Sequence, residues 1–340
     1  YLVQMDYYEN TGDAAAKLKW TGPSFAGSNG VIIAKEWLST VAGATNLPVF
    51  AYPQSLTMLQ NTNLAITLGG SANATNFSIV SGPAHGSLTG TPPAVTYTPF
   101  TNYTGVDSFT FVVNNGLSNS APATVSIAVW AGAPVSFTWK SAVSSNWSFA
   151  GNWTSGVPGA AGQPYYTLNF TASGTYSVTN DLNSSFAVNQ LNFSGNVTLE
   201  GSSVSLASNG PVLPQINQNS ANNVVINSPL ELAATTAFGG LGGGSVTLNG
   251  LISGPGALIW NSPATVQFNQ QTNTYSGGTI INAGQVNGPP ASGNNSPFFG
   301  TGPVTINSPA TLSFNRNTLT NRITLNGATL TGGNSFQTFF

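Results

Sequence analysis

Residues able to support catalysis are scarce in this chain. In 340 residues, Lys and Arg number 6, Asp and Glu 8, and His 1. Between positions 141 and 315 the only acids are Asp181, Glu200 and Glu231. Glycoside hydrolysis needs a pair of acids, and Asp181 and Glu200 are spaced so that neighbouring coils of a repeat could bring them together. No Arg, Lys or His lies nearby in sequence to complete a site. We therefore expect solvated acids and no enzyme; a polysaccharide-degrading enzyme is the alternative.

His85 and Asp107 are the other residues that invite a chemical role. His85 is the single histidine, and no Cys, Ser–Asp pair or second His supports it, so we assign it a structural role in a turn. Hard cations such as Ca²⁺ usually need several carboxylates, whereas the neighbours of Asp107 offer Asn114 and Asn115. We expect a turn-forming Asp and no cofactor; Ca²⁺ is an option that the acid count does not support.

A cluster of tryptophans at positions 136–162 has two interpretations. Trp147 and Trp153 could form an aromatic platform on which a sugar ring stacks. The same residues, with Trp139, would suit a cap over the open hydrophobic end of a repeat stack. The spacing Trp-x7-Trp-x5-Trp, followed by Pro158, resembles the segment that opens the β-helix of many repeat proteins. We favour the cap and keep glycan stacking as the alternative.

The composition is that of a neutral β-rich chain. Charged residues make up 4% of the sequence, against about 25% in ordinary soluble domains. Hydrophobic residues make up 40%. Asn, Thr, Ser, Gln and Gly supply the polarity, which suits stacked strands whose neutral side chains form ladders. A net charge of -2 with 6 Lys and Arg residues argues against nucleic-acid binding, which needs several cationic side chains to contact phosphates. No run reaches the roughly 18 apolar residues of a membrane span.

A repeat organises the C-terminal part of the chain. Residues 259–269 match residues 305–315 at an offset of 46, which predicts two coils of roughly 23 residues; residues 227–230 are a weaker copy. Such a period without helical spacing indicates a stack of coils. The segment Asn273–Val286, NTYSGGTIINAGQV, resembles the repeat unit of autotransporter-associated β-strand proteins. That resemblance implies a right-handed parallel β-helix over residues 132–340.

Two further segments precede the repeat. Short strands separated by turn residues predict a small antiparallel sandwich over residues 47–131. Its motifs, SGPAHGSL at 81–88 and the alternating residues 102–113, resemble bacterial Ig-like, cadherin-like repeats. The sequence of residues 1–46 predicts a strand, a turn, a second strand and a linker. They resemble the last strands of a PA14 domain, a β-sandwich often associated with glycan binding, but they contain no ligand residue of that family.

Together these features predict an all-β structural component of a large bacterial surface or extracellular protein: an adhesin stalk, matrix fibre or filament subunit. A carbohydrate-binding module is the alternative. The partners expected are surface glycans or other copies of the chain, joined head to tail by strand addition. Truncation of a longer protein explains the same ends more simply. The residues expected at such assembly ends are Tyr7, Leu18, Trp20, Phe336, Phe339 and Phe340.

Overall fold

The computed structural model describes residues 2–10, 13–21, 48–270, 272–289, 298–315 and 319–333. These residues contain no α-helix, and their one helical element is a 3₁₀ turn at Ala150–Asn152. At the N-terminus, β1 (Leu2–Asn10) and β2 (Asp13–Thr21) pair in antiparallel fashion, with Asn10 opposite Asp13. The two strands predicted for this segment are confirmed.

The next strands form a β-sandwich. Its elements are β3 (Ala51–Tyr52), β4 (Gln54–Leu59), β5 (Leu64–Thr67), β6 (Gly69–Gly70), β7 (Asn76–Ser81), β8 (Gly86–Thr91), β9 (Ala94–Pro99), β10 (Gly105–Asn114) and β11 (Ala123–Trp130). One sheet has the order β4-β11-β10-β7 and the other β5-β9-β8, while β3 pairs with β6. Alternate residues of β10 and β11 point into the core, because successive side chains of a strand face opposite sides.

One pairing departs from the antiparallel sandwich expected from the sequence. β4 pairs with β11 in parallel, with Gln54 opposite Val125 and Leu59 opposite Trp130. Parallel neighbours need a long connection. β4 is near the start of the sandwich and β11 at its end, so the remaining strands provide that connection.

A β-solenoid follows. Its strands are β12 (Val135–Thr138), β13 (Ser145–Asn146), β14 (Tyr166–Phe170), β15 (Thr175–Val188), β16 (Gln190–Phe193), β17 (Asn196–Leu206), β18 (Gln215–Gln218), β19 (Val224–Ile226), β20 (Leu230–Leu232), β21 (Thr236–Gly239), β22 (Val246–Leu248), β23 (Ile252–Ser253), β24 (Leu258–Trp260), β25 (Thr265–Phe268), β26 (Thr279–Ile281), β27 (Gln285–Asn287), β28 (Val304–Asn307), β29 (Thr311–Asn315), β30 (Ile323–Asn326) and β31 (Thr329–Gly333).

These strands form two long parallel sheets. The first sheet has the order β12-β14-β16-β18-β21-β24-β26-β28-β30, and the second has β13-β15-β17-β19-β22-β25-β27-β29-β31. A short third side consists of β20, β23 and the last residues of β15 and β17. Nine strands of the first sheet, at about 4.8 Å per step, make a stack about 38 Å long.

The predicted repeat is confirmed in register. Trp260 pairs with Ile281, and Ile281 pairs with Ile306, so the 46-residue offset corresponds to two coils. The weaker copy lies elsewhere: Pro229 precedes a strand of the third side, whereas Pro263 and Pro309 lie between the first and second sheets. Residues 227–230 therefore resemble the other two copies in sequence but lie at a different corner of the coil.

One core runs through the solenoid. In most of the three-residue strands the outer two residues point inward and the middle one outward, as in Leu258–Trp260. One inward column of the first sheet is at most 1% exposed from Leu168 through Ile306. Its members are Leu168, Leu191, Ile216, Phe238, Trp260, Ile281 and Ile306.

Candidate functional site

The three clustered tryptophans lie inside the first coils of the solenoid. Trp139, Trp147 and Trp153 are 1%, 0% and 1% exposed. The rings of Trp139 and Trp153 meet edge to face at 5.0 Å between centroids, and those of Trp147 and Phe186 at 5.1 Å. Nε1 of Trp153 donates a hydrogen bond of 2.8 Å to the carbonyl oxygen of Trp147.

This location bears on the two interpretations of the cluster. β12 and β13 are the end strands of the first and second sheets, so the rings fill the core where the stack begins. Rings this deeply buried have no open face against which a sugar could stack. The positions of Trp147 and Trp153 suit a cap on the N-terminal end of the solenoid.

A row of asparagines follows one register position on the outer side of the first sheet. In two runs, each Nδ2 donates to the Oδ1 of the asparagine one coil earlier, at 2.6–2.8 Å. The composition predicted ladders of neutral side chains, and these bonds confirm one. Identical amides can stack without charge repulsion. The members of this asparagine ladder are Asn169, Asn192 and Asn217, then Asn261, Asn282, Asn307 and Asn326.

Gly239 separates the two runs. It pairs in register with Asn217. One coil later, Phe238 pairs with Trp260, so Asn261, the residue after that strand, follows the same position. After it, Gly242 and Gly244 donate backbone hydrogen bonds to the coil below. A Cβ on either would overlap backbone atoms of that coil, so the glycine run permits the close approach.

Asp181 and Glu200 lie on neighbouring coils, in β15 and β17, as their spacing predicted. Asp181 accepts hydrogen bonds from the amide and hydroxyl of Ser148, at 2.9 and 2.5 Å. Burial alone would raise the pKa of Asp181, but these bonds outweigh it and hold the pKa below its usual value. Glu200 accepts a long 3.4 Å bond from Asn227. Within the described residues, no three His, Cys, Asp or Glu side chains group to hold a metal.

Asp107 joins a loop of the sandwich to its core. It is 4% exposed and accepts hydrogen bonds from the amides of Ala84, His85 and Ser108 and from the Tyr97 hydroxyl, at 2.8–3.0 Å. Burial raises the pKa of Asp107, but these donors outweigh it and the pKa lies below its usual value. The expectation of a turn-forming Asp is wrong: Asp107 lies within β10 and fixes a turn 22 residues earlier.

His85 lies in that turn. Its ring stacks on Tyr103 at 4.4 Å between centroids, with the planes 6° apart. Its Nδ1 is 3.8 Å from Oδ1 of Asp107. These contacts fit the structural role expected for His85.

The segment Asn273–Val286 connects neighbouring coils through buried polar groups. Asn273, 1% exposed, accepts a 2.8 Å bond from the Ile252 amide and donates a 2.7 Å bond to the Phe298 carbonyl. The hydroxyls of Tyr275 and Thr279 are 2.6 Å apart, and burial raises the pKa of Tyr275. The sequence reasoning singled out this segment for its glycines and β-branched residues and missed these buried polar roles.

The residues expected at assembly ends are described only in part. Tyr7 is opposite Ala16, and Leu18 and Trp20 are opposite Met5 and Val3, in the β1–β2 hairpin. Phe336, Phe339 and Phe340 lie outside the described residues.

Comparison with known proteins identifies one part of the chain. No curated protein matches the sequence. No helix within the described residues is long and apolar enough to cross a membrane. Residues 45–128 match a family model described as bacterial Ig domain, a class typical of surface or extracellular proteins. The chain therefore comprises a bacterial Ig-like domain followed by a β-solenoid.

Proposed function

We propose that this chain is a structural segment of a bacterial surface or extracellular protein, in which the solenoid acts as a spacer that bears load. The observation that carries the proposal is the continuous core beneath two long parallel sheets. An autotransporter-type stalk, preceded by PA14-like strands, is the finer form of the proposal and rests on the sequence motifs alone.

The bonding pattern supports this role. Backbone hydrogen bonds between parallel strands join each coil to the next, so they lie roughly along the stack. A force along the stack passes through every layer, and several backbone bonds share it within each layer. The asparagine ladder adds one side-chain bond to most of these layers.

The surface chemistry supports it as well. The described part of the solenoid carries few charged side chains: Lys140, Asp181, Glu200, Glu231 and Arg322. Interactions between exposed charges weaken with ionic strength. A stack held by apolar burial and neutral amides should therefore change little in stability between fresh and saline surroundings.

Removing two whole coils tests the spacer role. Asn261 and Asn307 occupy equivalent positions, so deletion of residues 261–306 keeps every inward and outward column in register. We expect a folded chain that is shorter by about 10 Å, two steps of about 4.8 Å, in small-angle X-ray scattering. A deletion of 35 residues from the same start is the control and should disrupt folding. If both deletion variants folded equally well, or if neither folded, the modular spacer would be contradicted.

The absence of catalysis is part of the proposal and has its own test. Asp181 is held by Ser148, and Glu200 is bonded by Asn227. We expect no cleavage of any polysaccharide in a broad panel. Cleavage that disappears in Asp181→Asn or Glu200→Gln, with folding intact, would instead establish a glycosidase or lyase.

Self-association is a second candidate, favoured by the last strand of the first sheet among the described residues. Leu325 continues the inward column of Ile306, yet it is 46% exposed while Ile306 is 0% exposed. We expect concentration-dependent association in sedimentation, abolished by Leu325→Asp. Leu241→Asp is the matched control, because Leu241 is 94% exposed and lies in the glycine-rich turn. A monomer at every concentration would dispose of this candidate.

A further inference from the structure

The connection between the Ig-like domain and the solenoid is held by a side chain of the solenoid. Asn209, 2% exposed, lies about 78 residues after this connection. Its Oδ1 accepts hydrogen bonds from the amides of Ala131 and Gly132, at 3.0 and 3.3 Å. Its Nδ2 donates to the Gly132 carbonyl at 3.1 Å. The full amide group is thus used on two consecutive residues of the connection.

The Ig-like domain holds the same connection from its own side. The Gln60 amide donates to the Trp130 carbonyl at 2.8 Å. Nε2 of Gln60 donates to the Ala131 carbonyl at 3.2 Å. Residues 130–132 therefore have hydrogen-bond partners in both units at once.

Two glycines allow the units to approach closely here. A Cβ on Gly210, whose φ is +61°, would lie 2.7 Å from the Val129 carbonyl oxygen and 3.1 Å from Cα of Trp130. A Cβ on Gly132 would overlap the ring of Tyr165. The backbones of the two units are therefore in direct contact at Gly210, and the connection packs against a solenoid side chain at Gly132.

We propose that residues 130–132, Gln60 and Asn209 form a rigid joint that fixes the orientation of the Ig-like domain on the solenoid. Relative motion is the usual expectation for domains joined by a short linker, and Gly-rich linkers in particular behave as flexible coils. This connection differs because its polar groups are bonded to both neighbours. The joint deepens the proposed spacer role, since a rigid connection transmits orientation as well as force.

Distance measurements between spin labels test the joint directly. The chain contains no cysteine, so Thr124→Cys and Gln285→Cys provide unique labelling sites. Both residues are exposed and lie in strands, one in each unit. Pulsed electron–electron double resonance should give one narrow distance distribution between the two labels in the otherwise native chain. A broad distribution in that chain would overturn the proposal.

Variants assign the rigidity to these residues. Asn209→Ala and Gln60→Ala should each broaden the distribution at least twofold. Asn192→Ala is the matched control, because it removes an asparagine of the ladder and should leave the distribution narrow. Unchanged narrow distributions in both joint variants would also overturn the proposal. If Asn209→Ala does not fold, Gln60→Ala still tests the joint from the Ig-like side. Coil deletion leaves the joint untouched, so failure here is distinct from failure of the spacer role.

Discussion

Filling the gap in the asparagine ladder should stabilise the solenoid. Gly239 stands between Asn217 and Asn261 at the ladder position and does not have a positive φ. A Cβ there would lie 2.7 Å from Oδ1 of Asn217, the end of a flexible side chain that can shift. Gly239→Asn should therefore complete the ladder.

The magnitude follows from the bonds gained. The new side chain would donate to Asn217 and accept from Asn261, in the pattern seen elsewhere in the ladder. A typical hydrogen bond contributes about 0.5–1.5 kcal/mol net, and the partial exposure of the ladder favours the lower value. Two bonds should add about 1 kcal/mol. Loss of glycine freedom in the unfolded chain adds about 0.4–1 kcal/mol, and Gly239→Ala would share that second gain.

Urea unfolding of three variants separates these contributions. Gly239→Asn should exceed Gly239→Ala by about 1 kcal/mol in free energy of unfolding. Gly240→Asn should be destabilised, because Gly240 has a φ of +89° and a Cβ there would overlap the Gln218 carbonyl. If Gly239→Asn were no more stable than Gly239→Ala, the ladder bonds would not contribute and the reasoning would be refuted.

Three other predictions follow from buried contacts. Trp153→Phe should lower the free energy of unfolding by about 1–3 kcal/mol more than Trp260→Phe, as measured by urea unfolding, because Nε1 of Trp153 has a partner and Nε1 of Trp260 is buried without one. Asp107→Asn should destabilise the Ig-like domain by at least about 2 kcal/mol, because an amide cannot accept from all four donors. The folded pKa of Asp107 lies below its unfolded value, near 3.9, so its stabilisation is complete above that value and is lost as pH falls through the folded pKa. As the pH is lowered below about 4, the free energy of unfolding should therefore fall more steeply for the native domain than for Asp107→Asn; equal slopes would contradict this. Gly244→Ala should destabilise the solenoid, because its Cβ would overlap the Asn222 carbonyl, whereas Gly243→Ala meets open space and should be tolerated in thermal unfolding.

Local patterns in the sequence predicted the main architecture. The match of residues 259–269 with 305–315 predicted the coil length, because equivalent positions of a stack need the same apolar, turn and amide residues. The excess of neutral amides predicted ladders, and Asn261 and Asn307 of that match belong to one. The turn signals and alternation of the Ig-like domain are equally local.

Contacts between distant residues were not predictable in this way. Asp107 is bonded to amides 22 and 23 residues earlier, and Asn209 to amides 77 and 78 residues earlier. A single Asp or Asn has the same local appearance whether it forms a turn or binds a remote backbone. The parallel pairing of β4 with β11 likewise depends on closure of the whole sandwich. The signal that could have suggested Asn209 is its Asn-Gly pair between apolar strands.

Pulling single molecules from both ends of residues 48–333 tests the load-bearing claim most directly. Forced unfolding is governed by the unfolding rate, so cooperatively packed units should resist and then open in discrete events. We expect separate steps, one of which releases the Ig-like residues 48–130, about 280 Å of chain at about 3.4 Å per residue. The solenoid should open in further steps of one or more coils. Smooth extension from the lowest forces, without steps, would contradict a load-bearing spacer.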